Sequence, residues 1–472
     1  MAGVIDRLFT PKNMVAPSLV KGELPSAKQA YGKCLSIAWP SAIESVLVAL
    51  VSSVDTMMVS SLGPKAISAA GVTGQPRMLM MTAILSLNMG VTAVVARRRG
   101  EGDMIGASKT LKQSLWINLM LGAIMVAISC FLTEPIMRLA GAQAEYIADS
   151  VAYFRIIMSG QFFACIGMTI NAAQRGCGNT KVSMRSNVTA NLVNIVFNYF
   201  LINGKWFFPK LGVVGAAIGK AAPAIGHMVA FLMALYSVAH PHKGELNIVD
   251  GGKWGFDKKT LSSVTKVATG AFTEQISLRA GLFAFSSIIA RLGTIQFATH
   301  QISMSLSQLI FSFADGLGVA SSSLVGQGLG MRRPDLSTVY GKIGQRCSML
   351  IGFTLSLLLV IFRRPLYGLF TYDAEVIALG MKLCYFVAAV CMIQTSQVVI
   401  SGCLRGAGDS RYVAVTSLVS IGTFRVGLSY LLCYPLGIGV YGAWIGFLVD
   451  QCTRLVLNYT RFHRGGWTKI EL

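Results

Sequence analysis

The amino-acid sequence predicts an all-α polytopic membrane protein, and three observations support this fold class. Hydrophobic residues make up 53% of the chain and charged residues only 13%, whereas a soluble globular chain carries about 25% charged residues. The mean hydropathy is +0.60. Several apolar runs, such as "LWINLMLGAIMVAISCFL" at 115–132, reach the roughly 18 to 20 residues that a helix needs to cross about 30 Å of hydrocarbon.

About twelve such spans are expected along the chain. They lie near 34–61, 66–96, 113–132, 147–173, 184–203, 212–239, 261–290, 294–326, 345–363, 375–403, 412–435 and 440–462. The polar stretch "HPHKGELNIVDGGKWGFDKK" at 240–259 lies in mid-chain and is the candidate linker. The expected organisation is an N-terminal tail (1–33), a first lobe (34–239), a linker (240–260), a second lobe (261–462) and a C-terminal tail (463–472).

The basic residues indicate the orientation. The chain has 41 Lys and Arg against 20 Asp and Glu, a net charge of +21, which in a soluble protein would suggest nucleic-acid binding. Here the basic residues concentrate in alternate loops, with about 26 on one side and 7 on the other. The positive-inside rule then predicts that both termini are cytoplasmic, in the plasma (inner) membrane, and no nucleic-acid partner is expected.

The other sequence features predict neither a processed leader nor a metal site. The N-terminal tail lacks a continuous apolar core, so no cleaved signal peptide is expected. The ten cysteines are scattered, lie mostly in apolar runs and form no CxxC pair, so we expect buried free thiols.

An internal repeat is visible when the two halves of the sequence are aligned at one constant displacement. Glu44 of "IAWPSAIES" falls on Glu274 of "VATGAFTEQ", and Gly100 falls on Gly330. "SLG" at 61–63 falls on "RLG" at 291–293, and "AQRGCGNTK" at 173–181 on "CLRGAGDSR" at 403–411, without a gap. The sequence therefore predicts two six-helix lobes of the same orientation, related by a pseudo-two-fold axis along the membrane normal, with a site between them near the midplane.

The doubled loop is expected to be a cytoplasmic turn in each half. Its glycines (Gly176, Gly178, Gly406, Gly408) permit a tight turn. Its basic residues (Arg175, Lys181, Arg405, Arg411) are expected to anchor it at the lipid headgroups. A phosphate-cradling turn would need a preceding strand and a soluble nucleotide domain, and the sequence shows neither.

At these residues the chain resembles the multidrug and toxic compound extrusion (MATE) transporters. The motifs are "SSVDTMMVSSLG", "ARRRGEGD", "ATHQISMSLSQLIFSFADGLGVASSSLVGQGLG" and "LRGAGDSR", and the likeness covers roughly 34–462. The resemblance implies a V-shaped pair of six-helix lobes around a central cavity. It also implies export of organic, often cationic, compounds in exchange for protons or sodium ions.

The candidate ion site of the first lobe is centred on Asp55, inside the first span. Glu44 lies eleven residues earlier, about three helical turns, so both carboxylates share one face. Asn194 and Asn198, four residues apart in the fifth span, also share a face. Their amide oxygens could ligate a cation or hold a carboxylate, or form a structural ladder between helices. The resemblance makes Asp55 the cation or proton carboxylate and the two asparagines its partners.

Lys220 departs from the family pattern, which has a small hydroxyl residue at this position. If its ammonium group meets Asp55, it occupies the place of a metal ion. That pairing argues against sodium binding and favours proton coupling in the first lobe. The alternative is that Lys220 extends to the outer membrane surface.

In the second lobe, the resemblance makes Glu274 the principal carboxylate. Burial favours the protonated form of a carboxyl group, which suits proton exchange. Arg279, five residues on, points about 140° away and is expected to pair across helices. His300 matches a family position and is either a titrating or a structural histidine. Gln394 stands where some members carry an aspartate and cannot ionise, which weakens this site.

Two further sets of residues belong to the expected cavity or to the buried charges. Met57 is one of several methionines whose flexible side chains suit a pocket for varied ligands. Asp315, Lys382, Arg425 and Asp450 are buried charged candidates without an assigned role.

The sequence favours a monomeric proton-driven antiporter that exports hydrophobic, cationic small organic compounds and contacts membrane lipid. Sodium coupling is the alternative, as is a lipid-linked oligosaccharide flippase of the same superfamily, which would need a strongly basic cavity. A membrane-embedded transferase would need a metal or base motif. The chain has no DDxxD, HxxxD or HExxH, so neither enzymatic activity nor a cofactor or metal is expected.

Overall fold

The structure is a computed structural model and describes residues 9–60, 71–140, 142–203, 222–240, 246–248 and 257–471. Within these ranges, the side chains of residues 49, 51–60, 197–203 and 222–225 lie outside the description. The described chain is helical and contains no β-strand in these ranges. Its α-helices are α1 (Ala27–Ser60), α2 (Gly74–Gly100), α3 (Met104–Phe131), α4 (Thr133–Leu139), α5 (Ile147–Gly176), α6 (Thr180–Asn203), α7 (Ala222–Ala239), α8 (Lys258–Ala290), α9 (Thr294–Gly330), α10 (Pro334–Ile361), α11 (Arg363–Gly368), α12 (Ala374–Gly406), α13 (Ser410–Ser420), α14 (Ser429–Cys433) and α15 (Val440–His463).

Seven helical segments of the described chain are long and apolar enough to cross a membrane. They are α2, α3, α5, α9, α10, α12 and the continuous segment Ser410–Cys433, in which a π-helix (Ile421–Leu428) joins α13 to α14. Large apolar side chains such as Leu350, Phe353 and Leu357 are exposed along α10, as expected for a helix that faces lipid. The all-α polytopic fold class is therefore confirmed, while the number of twelve spans stays a prediction.

By internal contacts the chain divides into two compact units. The C-terminal unit comprises Met1–Ser45, Gly100–Gly102 and Lys266–Leu472, and the N-terminal unit comprises Val46–Arg99 and Asp103–Thr265. Helix α1 begins in the C-terminal unit and continues in the N-terminal unit. The contact-based units therefore do not follow the sequence halves 34–239 and 261–462, because the chain up to Ser45 packs with the later helices.

Each unit has its own hydrophobic core. In the C-terminal unit, α9, α12 and α15 pack around one cluster that includes Leu383, Trp444 and Phe447, and a second cluster joins α9, α10 and α12 to the start of α1. In the N-terminal unit, Met81, Phe154 and other side chains pack α2, α3 and α5 together. These cores hold the buried polar groups described below in fixed positions.

The doubled loop has the same backbone structure in both copies. At the end of α5, Gly178 has φ +84° and its N–H donates to the Arg175 carbonyl at 2.9 Å, while the Asn179 N–H donates to the Gln174 carbonyl at 2.9 Å. This is the Schellman arrangement, which places a residue in the left-handed region and favours glycine. The same pair of bonds recurs in the second copy, around Gly408 with φ +93°.

The loop after α2 also has a counterpart, after α9. Gly102 has φ +78°, and the turn closes with a hydrogen bond from the Asp103 N–H to the Arg98 carbonyl at 2.9 Å. In the second copy, Arg332 takes the same position with φ +57°, and the equivalent bond also measures 2.9 Å. The local structure thus repeats at the displacement seen in the sequence.

Candidate functional site

Four predicted site residues have side chains outside the description. Asp55 and Met57 lie in α1 and Asn198 lies in α6, where only the helical backbone is described. Lys220 falls outside the described residues altogether. The proposed ion pair between Asp55 and Lys220 therefore stays a prediction.

Asn194 is buried between two helices of the N-terminal unit. Gly226 of α7 faces the Asn194 position on α6, where an added Cβ on the glycine would lie 2.5 Å from the Ala190 carbonyl oxygen and 3.5 Å from the Asn194 Cβ. The absence of a side chain at Gly226 lets α7 approach α6 closely. Asn194 is therefore placed at a helix–helix contact, where an amide can act between helices.

Glu274 forms a buried ion pair with Arg405 of the doubled loop. The Arg405 Nη1 donates to Glu274 Oε1 at 2.8 Å and to Oε2 at 3.0 Å. The side chains are 16% exposed for Arg405 and 3% for Glu274. Glu274 is therefore paired, whereas the prediction from burial treated it as an isolated carboxylate. Arg405 points inward to Glu274, whereas the sequence predicted that it lies at the lipid headgroups.

The depth of this ion pair follows from the turn beside it. An added Cβ on Gly270, one helical turn before Glu274, would lie 2.8 Å from the backbone nitrogen of Arg411 at the start of α13. Glu274 thus lies about one turn below the loop. The pair joins the middle of α8 to the last turn of α12, which suits a role in fixing the doubled loop.

His300 lies in an aromatic cluster of the C-terminal unit. Its ring centroid is 5.2 Å from that of Phe285 and 5.9 Å from that of Trp444, both in edge-on arrangements. The imidazole is fully buried, and neither ring nitrogen has a hydrogen-bond partner within the described part of the chain. This environment packs His300 as an aromatic ring among apolar neighbours.

The remaining predicted residues of the second lobe are spread along two helices. Arg279 is half-buried on α8 and Gln394 is partly buried on α12. Gln394 precedes Arg405 by eleven residues of continuous helix, or about 16 Å along the axis. Gln394 and the Glu274–Arg405 pair therefore lie at different depths.

The structure reveals a buried charged cluster that the sequence indicated only in part. Asp450 Oδ2 accepts hydrogen bonds from Arg425 Nε at 3.0 Å, from Arg425 Nη2 at 2.6 Å and from Arg454 Nη2 at 3.2 Å. Asp450 Oδ1 accepts one from the Ser420 hydroxyl at 2.8 Å. The three charged side chains are between 0% and 3% exposed, and the Arg425 guanidinium also lies 4.4 Å from the centre of the Phe447 ring.

This Arg–Asp–Arg cluster has a net charge of +1 and lies near the middle of its helices. Arg425 lies in the π-helix, an irregularity common at functional sites. Arg454 follows Asp450 by four residues on α15, a spacing that brings side chains together and that could have identified it from the sequence. Charged groups at this depth are costly, and they are functional candidates by default.

The described residues show no group of three or more His, Cys, Asp or Glu side chains placed to hold a metal ion. In the C-terminal unit, the buried carboxylates of Glu274, Asp335 and Asp450 are paired with arginine side chains.

Comparisons with known proteins give a consistent result. The MatE family model matches residues 40–200 and 271–431, once in each half of the sequence. Probable multidrug resistance protein NorM of Thermotoga maritima is 26% identical over 454 residues, covering 96% of this chain and 95% of the relative. Multidrug resistance protein PmpM of Pseudomonas aeruginosa is 28% identical over 457 residues, covering 91% and 92%.

Solved structures share the fold. An outward-facing multidrug resistance MATE family transporter matches with a TM-score of 0.84 at 20% identity, over 95% of this chain and 98% of that chain. A transporter of the MOP superfamily from Pyrococcus furiosus matches with a TM-score of 0.86 at 20% identity, over 94% and 97%. The predicted resemblance is confirmed: this multi-pass membrane protein belongs to the MatE family.

Proposed function

We propose that the protein is a secondary antiporter that exports hydrophobic, cationic organic compounds in exchange for protons. The observation that carries the proposal is similarity over almost the full length to proteins named for multidrug resistance. The basic loops favour a location in the plasma (inner) membrane with both termini in the cytoplasm.

Asp55 is the proposed coupling carboxylate. Proton binding removes the negative charge from its carboxyl group and weakens its attraction for a cationic substrate. Substrate and proton therefore compete for one group, and each shifts the conformational equilibrium only through its different affinities for the two states. Glu274 is expected to contribute less, because Arg405 already occupies its carboxylate.

Lys220 makes protons the favoured coupling ion in this proposal. An ammonium group beside Asp55 would take the position that a sodium ion needs. Lys220→Thr should therefore allow sodium to affect transport, whereas transport by the wild-type protein should respond to a pH gradient alone.

The test is efflux of the fluorescent cation ethidium from proteoliposomes, with pH and sodium gradients imposed separately. Asp55→Asn should abolish gradient-driven efflux, because an amide cannot exchange a proton. Glu134→Gln is the matched control, since the Glu134 carboxylate is 58% exposed and paired at the surface with Arg138. Ethidium efflux at the wild-type rate from Asp55→Asn would show that Asp55 is not the coupling carboxylate. Absence of efflux under both gradients would contradict the antiporter proposal.

The Arg425–Asp450–Arg454 cluster favours a second candidate, a flippase for lipid-linked oligosaccharides. Two guanidinium groups share one carboxylate, so the cluster keeps one net positive charge, which would suit a diphosphate-bearing cargo if the transport cycle opens these buried side chains to a cavity. Movement of a fluorescent lipid-linked oligosaccharide across the same vesicles, without ethidium efflux, would select this candidate.

A further inference from the structure

A surface pocket in the C-terminal unit lies beside the second copy of the doubled loop. It encloses about 420 Å³ and is lined by Lys266 of α8, by Arg411 at the start of α13 and by Lys469 near the end of the chain. Gly408 and Asp409 of the turn form another wall. Three separate segments of the chain therefore build the pocket: α8, the turn with the start of α13, and the C-terminal segment.

The pocket carries an excess of positive charge, because Lys266, Arg411 and Lys469 line it against two acidic residues, Asp409 and Glu471. Asp409 is neutralised by Arg461, whose Nε donates to Asp409 Oδ2 at 2.8 Å. Lys266 Nζ donates to the backbone carbonyl of Glu471 at 3.0 Å. Arg411 and Lys469 are exposed and have no ion-pair partner within the described residues, so their donors are available to an anion.

The turn itself does not bind phosphate through its backbone. The N–H groups of Gly408 and Asp409 donate to carbonyl oxygens of α12 at 3.0 and 2.8 Å. These donors are used within the Schellman turn, which excludes a nucleotide-type cradle at these two positions. An anion in this pocket must therefore be recognised by the cationic side chains.

The C-terminal segment is held in place to complete the pocket. Trp467 is fully buried and stacks on Phe462, with ring centroids 4.9 Å apart and planes 6° from parallel. Its Nε1 donates to the Phe462 carbonyl at 2.7 Å. Lys469 follows two residues later, so this packing holds the backbone of the segment that contributes Lys469 to the pocket.

An apolar strip leads from the pocket along the same helix. Val415 and Leu418 follow Arg411 at the i+4 and i+7 positions of α13, and both are more than half exposed. Residues at this spacing share one helix face. A molecule with a phosphate at Arg411 could thus place a hydrocarbon chain along Val415 and Leu418.

We propose that this pocket binds the headgroup phosphate of an anionic phospholipid. Guanidinium and ammonium groups at the end of a membrane helix are suited to bind a phosphodiester, and the exposed apolar strip accounts for the acyl chain, which free phosphate lacks. The proposal concerns binding and does not depend on what the protein transports.

The N-terminal unit provides a natural comparison. A smaller pocket of about 250 Å³ lies at the equivalent turn, next to Gly178 and Asn179, and Arg99 is the cation in its lining. Lys181, equivalent to Arg411, does not line it. The site is therefore expected in the C-terminal unit only, and Lys181→Gln/Arg185→Gln is a control that removes the same number of exposed charges.

Native mass spectrometry and thermal unfolding of the purified full-length protein in detergent would test the proposal. Phosphatidylglycerol should bind and raise the apparent melting temperature, whereas phosphatidylcholine should bind more weakly, because its choline cation offsets the phosphate charge and is repelled by the basic side chains. Arg411→Gln/Lys469→Gln should weaken phosphatidylglycerol binding on the order of tenfold or more. Arg411→Lys retains the charge and should keep most of the affinity, and the control double variant should bind like the wild type.

Three results would overturn the proposal. Equal binding of the two lipids would show that the headgroup charge is not recognised. Equal losses in the test and control double variants would assign the effect to general surface charge. Displacement of phosphatidylglycerol by inorganic phosphate, with the same thermal shift from phosphate alone, would make this a site for free phosphate.

Discussion

At the scale of single residues, the Glu274–Arg405 ion pair is the clearest buried interaction among the predicted site residues. Removing one partner of a buried ion pair leaves an uncompensated charge and costs about 3–5 kcal/mol. Arg405→Gln should therefore lower the apparent melting temperature more than the double variant Glu274→Gln/Arg405→Gln, which leaves no lone charge. Thermal unfolding of the four proteins in detergent gives the comparison.

Arg138→Gln is the control for this cycle, because the Arg138 and Glu134 side chains are 67% and 58% exposed and surface ion pairs contribute about 0–1 kcal/mol. If the effects of Arg405→Gln and Glu274→Gln simply add in the double variant, the two side chains do not act as a pair.

Asp257, just before α8, permits a prediction about pH. Two hydrogen bonds, the larger contribution from the Thr260 hydroxyl and the smaller from Lys109, lower the pKa of Asp257 to about 2. The Lys109 Nζ lies 3.1 Å from Asp257 Oδ2. In the unfolded chain the pKa of an aspartate is about 3.9. The carboxylate therefore stabilises the folded protein above about pH 4, and this stabilisation is lost as the pH falls towards about 2.

The measurement is the difference in apparent melting temperature between the wild type and Asp257→Asn. It should be present at about pH 6 and should shrink steadily below about pH 4. A difference of the same size at about pH 2.5 would show that the charge of Asp257 is not its source.

The sequence predicted which of these residues are buried better than it predicted their partners. Glu274, Asn194 and His300 lie in apolar runs, so their burial follows from the helices that contain them. Arg405 lies next to a polar loop, and a basic residue there is normally at the surface. Its inward contact depends on the approach of α8 to α12, which no local pattern in either segment indicates.

At the scale of elements, the repeated turns contain one conformational mismatch. Gly102 has φ +78°, whereas Arg332 takes the equivalent position with φ +57°. A side chain in the left-handed region costs about 1–2 kcal/mol, and glycine avoids this cost. The greater freedom of glycine in the unfolded chain cancels part of that gain. Arg332→Gly should therefore raise the stability by about 0.5–1 kcal/mol, measured as a higher apparent melting temperature.

The reverse change provides the matched test. Gly102→Ala should lower the melting temperature, because alanine resists the positive φ that the turn requires. A loss of stability in Arg332→Gly would mean that the arginine side chain contributes more at this turn than the backbone strain costs.

The apolar runs located the helices but not their ends or irregularities. Predicted spans such as 147–173 and 375–403 correspond to Ile147–Gly176 and Ala374–Gly406. Helices α3 and α10 begin several residues before their predicted spans, because polar first turns continue the helix beyond the hydrocarbon. The short helices α4 and α11 have too few residues to be recognised from hydropathy. The composition of the π-helix does not distinguish it from the α-helices on either side.

At the scale of the whole molecule, a sequence repeat and a compact unit are different properties. The constant displacement between the two halves identifies equivalent segments, and the matched turns after α2, α5, α9 and α12 follow it. Contacts nevertheless group the chain up to Ser45 with the C-terminal unit. A sequence repeat reflects the common ancestry of two segments. The grouping of the chain up to Ser45 with the C-terminal unit depends instead on the apolar residues that precede and begin α1.

The N-terminal segment is attached to α10 by specific contacts. The Lys21 backbone N–H donates to Asp335 Oδ2 at 3.1 Å, and Lys342 Nζ donates to the Met14 carbonyl at 2.6 Å. Met14 itself is only 2% exposed and packs in the core cluster with α9, α10 and α12. A segment that sequence patterns predict as a tail is therefore part of the folded C-terminal unit.

Met14→Ala should consequently destabilise this unit by about 2–4 kcal/mol, because truncating a buried methionine leaves a cavity. Leu19→Ala is the matched control, since Leu19 is 62% exposed in the same segment. The apparent melting temperature should fall for Met14→Ala only, and hydrogen–deuterium exchange should increase in the first turns of α10, where Asp335 and Lys342 lie. Equal behaviour of the two variants would show that the segment before α1 rests on the surface without supporting the helices beneath it.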